Sequence, residues 1–355
     1  MLADSETPAQ FGSLMAETLK GAWRDCPLAL EGLAEPPGAV TSLLLKSGVA
    51  ALVWRRVRLT GSQTSPCALE LQQAYRLHLL QAAVHERALK QLISSLRSTG
   101  FDPLLGKGWA MARLYPEPGL RPYGDIDLYV RAEEYAAVGA ALSGPRAPAC
   151  SVDLHRGVAD LDDRSFGELY GRSQLVPLSD THVRVFGPED HLRLVCLHMF
   201  RHGAWRPLWL CDVALALEAG PADFDWDYFL SGDPRRTDWA VCAIGLAHKL
   251  LDARVDDTRV AERARRLPRW LVPVVLRQWG QGQTPHGARV TMRLYVRKPA
   301  GVVSALRLRW PNAIEATVHV GGAFNNWPRW PYQVRACVAR AARFAGQLPS
   351  AWRDG

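Results

Sequence analysis

Asp125 and Asp127 stand one residue apart in the run DIDLYV, and a third acid, Asp153, follows in SVDLHRG. Side chains alternate across a strand, so Ile126, Leu128 and Val130 face one way and Asp125, Asp127 and Tyr129 the other. The apolar set suits a helix layer, and both carboxylates then emerge on the opposite face. Two carboxylates about 5 Å apart repel by roughly 3 kcal/mol at an effective dielectric of about 20. A divalent cation offsets that repulsion, and magnesium prefers carboxylate and phosphate oxygens to nitrogen or sulfur. In the second run Val152 and Leu154 point one way, Asp153 and His155 the other. If the two strands are neighbours, Asp153 joins the same face. Three clustered acids can hold two metal ions, one activating an attacking oxygen and one steadying a leaving phosphate.

Upstream, LLGKGWAMARL places Gly106-Lys107-Gly108 where a strand ends and a helix begins. Backbone N–H groups at such a junction suit phosphate, and Lys107 adds charge. Taken alone, a Gly-Lys-Gly turn is more often only a turn. Arg121, four residues before Asp125, is within reach of the same phosphates, although one arginine in a basic protein has solvent exposure as its ordinary explanation. His191, His198 and His202 recur at helical spacing in PEDHLRLVCLHMFRH. His198 and His202 match a ligand spacing, but the glutamate of a zinc-protease motif is absent, so a polar core role and an acceptor-site role both outrank zinc. Asp212 interrupts the apolar run LWLCDVALAL; a buried acid needs a partner, and Arg201, Arg206 or an acceptor are the open choices.

Chance produces about one Asp-x-Asp in a chain of this size. The run DFDWDYF, Asp223 to Phe229, is such a decoy: it follows Gly220-Pro221 in a helical stretch, and its acids are placed to cap a helix start. DIDLYV differs because a glycine turn precedes it, β-formers surround it and a matched acid follows one helix later.

The elements that must position these residues read as follows. SPCALELQQAYRLHLLQAAVHERALKQLISSLRSTG predicts a long helix with Ser65 as cap, Pro66 in the first turn and Gly100 as stop, its apolar face including Leu71, Leu79, Leu89, Leu92 and Leu96. DPLL, DIDLYV, SVDLHRG, QLVPL and HVRVFG are strand candidates. A short helix is expected over Trp109 to Leu114, and AEEYAAVGAALSG predicts a helix between the two acidic strands. From Pro188 onward consecutive packed helices return. This divides the chain into an N-terminal helical region (1–100), an α/β core (101–187) and a C-terminal helical region (188–355), the last rich in Trp, Pro and Arg beyond about Pro268 with no function assignable to it.

Composition bounds the class. The chain of 355 residues is 48% hydrophobic and 22% charged, enough for a real core and against wholesale disorder. Seven scattered cysteines without a C-x-x-C spacing argue for reduced thiols rather than a disulfide framework or zinc ribbon. No basic-then-apolar leader and no long apolar run is visible, so a cytoplasmic protein without membrane spans is expected. The net charge of +8 fits a polyanion or a nucleotide, but arginine-rich codon usage explains it as well. No dense basic run with interleaved aromatics is present, which disfavours nucleic acid.

The blocks KGWAMARLYPEPGLRPYGDIDLYV and VDLHRGV resemble the bacterial nucleotidyltransferase family with the DNA polymerase β-like fold, and within it the group whose pattern runs Lys-Gly, Arg-x-x-x-Asp-x-Asp, Asp-Leu-His. The likeness extends over most of the first 250 residues; its acidic blocks are fairly specific and its helical parts are not. It implies an α+β fold, a small mixed sheet flanked by helical regions on both sides. It implies that Asp125, Asp127 and Asp153 bind magnesium, two ions in all, and that Asp153 helps deprotonate the acceptor hydroxyl. Lys107 and Gly108 would line the triphosphate, with Lys107 or Arg121 substituting for the missing serine; His155, which shares the face of Asp153, either orients substrate or satisfies a neighbouring carboxylate. The expected reaction moves a nucleoside monophosphate from an NTP to a hydroxyl of a small molecule, peptide or protein, releasing pyrophosphate. One departure matters: the wider superfamily has Gly-Ser at the turn, whereas Trp109 follows Gly108 here. That departure keeps a non-catalytic nucleotide- or partner-binding relative as the alternative, with an RNA-directed transferase as a second.

Overall fold

The computed structural model describes residues 7–25, 38–60, 66–143, 150–282 and 310–351. Five strands form one mixed sheet in the order β3-β2-β1-β5-β4. They are β1 (Leu104–Leu105), β2 (Asp125–Val130), β3 (Ser151–Arg156), β4 (Gln174–Leu178) and β5 (Thr181–Val185). β1 runs antiparallel to β2 and parallel to β5, while β4 and β5 form a hairpin around Ser179-Asp180. β2 and β3 are parallel, as adjacent parallel strands require a crossover. The N-terminal helices are α1 (Pro8–Leu19), α2 (Gly38–Ser47), α3 (Ala50–Thr60) and α4 (Pro66–Ser98). Around the sheet lie α5 (Gly108–Ala112), α6 (Tyr135–Leu142), which supplies that crossover, and α7 (Phe166–Gly171). The chain then becomes helical: α8 (Pro188–Arg201), α9 (Pro207–Glu218), α10 (Trp226–Leu230), α11 (Pro234–Leu251), α12 (Ala261–Ala264), α13 (Leu271–Gln281), α14 (Ala313–His319) and α15 (Trp330–Ala351). The architecture is α+β, with a small mixed sheet flanked by helices.

Alternation along β2 sets the two faces of the sheet. Ile126, Leu128 and Val130 are buried against Leu89, Leu92, Ile93 and Leu96 of α4 and Val138 of α6. On the other face Tyr129 and Leu104 join Phe186 in a larger helical core. That core takes residues from both ends of the chain, from Met15 and Leu52 to Trp279 and Ile314, so the N-terminal and C-terminal helices pack together. The closest crossing is α1 on α13: a Cβ on Gly12 would lie 1.9 Å from the Leu276 carbonyl oxygen, so only glycine permits the approach.

Helix α4 belongs to both cores, through Ala68 and Leu71 at one end and Leu89 to Leu96 at the other. Its middle bridges them and is exposed. Leu79, expected on the buried face, is therefore 38% exposed, a correction to the periodic reading. Gly100 ends α4 with φ +88°, as expected, whereas the Ser65 cap lies outside the described residues. The helix expected over Trp109 to Leu114 is shorter, ending at Ala112. The six described cysteines are free. Among the described residues, no helix is long and apolar enough to cross a membrane.

Candidate active site

The register of β2 on β3 places Asp127 opposite Asp153 and Tyr129 opposite His155. His155 lies flat against Tyr129, ring centroids 4.4 Å apart, which turns its Nε2 toward the acids. That nitrogen is 3.1 Å from Asp127 Oδ1 and 3.2 Å from Asp153 Oδ2. Ligand atoms of Asp127, Asp153 and His155 all lie within 4.8 Å of one another, the one such group among the described residues. Asp125, at the start of β2, is outside that group, exposed and lining the same cleft. The acids that the sequence treats as an equal trio thus divide: Asp127 is buried, while Asp125 and Asp153 are exposed to the cleft.

Electrostatics follow burial. Partial burial and the neighbouring Asp127 push the Asp125 carboxyl up, against the pull of Lys107. Burial works against the Asp127 carboxylate too, but hydrogen bonds from His155 and Lys107 hold it below the ordinary range. Lys107 Nζ is 2.6 Å from Asp127 Oδ1. The lysine backbone has φ 45°, sparsely populated for a residue with a Cβ, and the glycines on either side leave room for it. Gly108 fits closely: a Cβ there would sit 3.2 Å from the Asp125 carbonyl oxygen and 3.5 Å from Asp127 Oδ2. Trp109, where the wider superfamily carries serine, is buried in the sheet core and contributes packing rather than a hydroxyl.

Arg121 lines the cleft, but its guanidinium is already occupied. Nη2 and Nε are 2.8 Å and 3.2 Å from the two oxygens of Asp212, and Nη1 donates to the Gly108 carbonyl at 3.2 Å. Tyr115 Oη donates to Asp212 Oδ1 at 2.9 Å. Burial opposes the arginine charge, but Asp212 more than restores it and raises its pKa. Asp212 therefore pairs with Arg121, and neither Arg201 nor Arg206 takes that role. The fork–fork pair ties α9 to the loop that delivers Asp125, and Arg121 also lines the cleft.

The cleft holds about 360 Å³. Its wall from α8 and α9 carries His198, Arg201, His202, Arg206 and Trp209. His198 and His202 are 4.5 Å apart by ring centroid, and Trp209 meets His198 edge-on at 5.2 Å. Burial drives His198 well below its usual pKa. His191 separates from this pair: it is buried away from the cleft, its Nε2 unsatisfied, and burial lowers it to about 3. The missed residue is Asp160, which lines the cleft and lies 2.8 Å from Arg201. Burial raises its carboxyl against the pull of Arg201. Its only sequence signal is an acid seven positions after Asp153, beyond a turn at Gly157 with φ +66°.

Clustered acids, a lysine and three arginines thus line one cleft. Residues 35–144 and 145–252 match the model of a family described as uncharacterised nucleotidyltransferase. That is more than half of the chain, and the protein belongs to this family; it is accordingly an enzyme, a nucleotidyltransferase. No curated protein and no solved structure matches it.

Proposed function

We propose that the protein transfers a nucleoside monophosphate from an NTP to a hydroxyl of an acceptor, releasing pyrophosphate, with magnesium bound at the acidic face. The observation that carries this reading is the in-register pair Asp127 and Asp153 at a cleft large enough for a nucleotide. The donor chemistry fits the ion: a buried carboxylate faces a second one across adjacent strands, with Asp125 one alternation away. Asp125, Asp127 and Asp153 would hold magnesium, which when bound neutralises charge on the transferring and leaving phosphates.

The remaining roles fall to the chain itself. Asp153 is exposed to the cleft and is the acid available to take a proton from an acceptor hydroxyl. His155, at hydrogen-bond distance from both carboxylates, orients them. Lys107 supplies positive charge beside Asp127, and Arg121 with Asp212 fixes the approach of the Asp125 loop. Trp209, His198 and His202 form an aromatic wall suited to a base or an acceptor ring.

The test is incubation of the protein with each labelled NTP, magnesium, and pools of metabolites and peptides, followed by pyrophosphate detection and mass spectrometry for an added nucleotide. Pyrophosphate release with a matching mass increment on an acceptor, abolished by EDTA, is expected. NTP binding that is independent of magnesium and never yields pyrophosphate would replace the enzyme reading with a binding role.

A further inference from the structure

Four cations line the cleft, and three are neutralised by acids: Lys107 by Asp127, Arg121 by Asp212 and Arg201 by Asp160. Arg206 is the exception. Among the described residues no carboxylate lies within ion-pair distance of it, and its one hydrogen bond runs from Nε to the Ser47 carbonyl at 3.0 Å. Its outer nitrogens remain available. The guanidinium is held in place nonetheless: a Cβ on Gly48, which has φ +78°, would lie 2.5 Å from Nη2 and 3.4 Å from Pro122 Cγ. Arg206 is also the N-cap of α9, whose first turn contains no acid. A cation there opposes the helix dipole, and a partly buried guanidinium with no carboxylate at ion-pair distance is costly. Burial and the nearby Arg121 charge disfavour its protonated form, and the more distant Asp212 and Asp125 offset this only in part.

Arg206 lines a second cavity as well. A shallow side chamber of about 240 Å³, largely open to solvent and lined by Gln81 and His85 of α4 and by Tyr123, shares Pro122, Tyr123, Gly124 and Arg206 with the cleft. This chamber flanks the loop leading into Asp125. Asp153, Asp160 and Arg201 belong to the cleft alone, as lining of the other cavity does not include them. Phosphoryl transfer proceeds with attacking and leaving oxygens roughly in line. For an acceptor activated at Asp153 the leaving group departs on the far side from Asp153, and Arg206, unlike Asp153, lines both the cleft and the second cavity.

We propose that Arg206 anchors the β- and γ-phosphates of the nucleotide and directs the leaving pyrophosphate into the chamber between α4 and the 121–124 loop. This rests on the nucleotidyl-transfer reading above. It assigns to α9 the phosphate contact that Trp109 cannot make, and gives the N-terminal helix α4 a share in the substrate site. An anionic group of the acceptor has the same chemistry, and the ligands below separate the two sources.

The experiment is isothermal titration of the full chain, with magnesium, against inorganic tripolyphosphate, the four NTPs and the corresponding NMPs. Arg206→Gln is expected to weaken tripolyphosphate and NTP binding at least tenfold and leave NMP binding unchanged. Arg206→Lys, which keeps the charge but not the fork, should fall between, and it serves as the folded control if the glutamine variant loses its melting transition. Wild-type affinity for tripolyphosphate and NTP in both variants overturns the proposal and assigns Arg206 to the acceptor or to structure. Equal loss of NMP and NTP binding also overturns it, because a tail contact cannot act on NMP. A wild-type protein that binds tripolyphosphate through Arg206 yet never releases pyrophosphate would sink the transfer reading and leave this site standing.

Discussion

Two stretches of this chain carry aspartates at alternate positions, and the fold gives them opposite fates. In β2 the acids converge: Asp125 and Asp127 emerge on one face, and the parallel neighbour adds Asp153 in register. In the stretch from Asp223 to Phe229 they diverge. Asp225 is the N-cap of α10, accepting the Tyr228 N–H at 2.9 Å, Asp223 is exposed, and Asp227 pairs with Arg259 at the surface. The intervening Phe224, Trp226 and Phe229 pack on one another instead of on a sheet. Alternating acids thus become a site only when a paired strand keeps them on one side and a second element brings another acid. Without that, they satisfy a helix end.

The sharpest way to break this contrast is to remove one acid from each stretch. Asp127→Asn is expected to lower the rate of pyrophosphate release by about 10³-fold or more, with circular dichroism unchanged. An active variant, or an equal loss in Asp225→Asn, would end the distinction between the two runs.

Next in size is the clamp that delivers β2. Asp212→Asn leaves Arg121 buried without its counter-charge, and breaking such a pair costs about 3–5 kcal/mol. Urea unfolding should show a lower midpoint with an unchanged slope. A midpoint like wild type would mean that the Gly108 carbonyl holds the arginine without the carboxylate.

The scaffold beneath the site should also show a pH signature. His191 is buried neutral, with its pKa lowered from the ordinary value near 6.5 to about 3. A base depressed by folding contributes stability that is full above about pH 6.5 and is lost as pH falls toward 3, at up to about 1.4 kcal/mol per unit. His191→Phe should flatten the fall of melting temperature across that window. An unchanged slope would place the acid sensitivity elsewhere.

The smallest effect belongs to the second acidic run. Asp225→Ala removes an N-cap and should cost about 1 kcal/mol in urea unfolding while leaving pyrophosphate release intact.

Much of this contrast was legible beforehand because it depends on local rules. Period-two alternation identified DIDLYV and SVDLHRG as strands with acids on one face, and the position of DFDWDYF after Gly220-Pro221 marked it as a helix start. The partner of Asp212 was not legible. Arg121 lies 91 positions away, and no periodicity relates a loop arginine to a residue inside a later helix. Alternation put His155 on the acid face beside a carboxylate, but that it reaches both Asp127 and Asp153 depends on its stacking against Tyr129. His191 and His198 of α8 and His202 at its C-cap looked equivalent by spacing, yet the first is buried in the core and the other two line the cleft, because α8 is buried on nearly all sides.

The amino-acid sequence alone determined the strands, the side of each on which acids emerge, the long helix and its glycine stop, and the blocks that mark the family. These are consequences of backbone period and steric preference, which act over a few residues. Tertiary structure alone decided which charges neutralise each other. Lys107, Arg121 and Arg201 found acids and Arg206 found none among the described residues, because ion pairing depends on distances of a few ångströms between elements far apart in the chain.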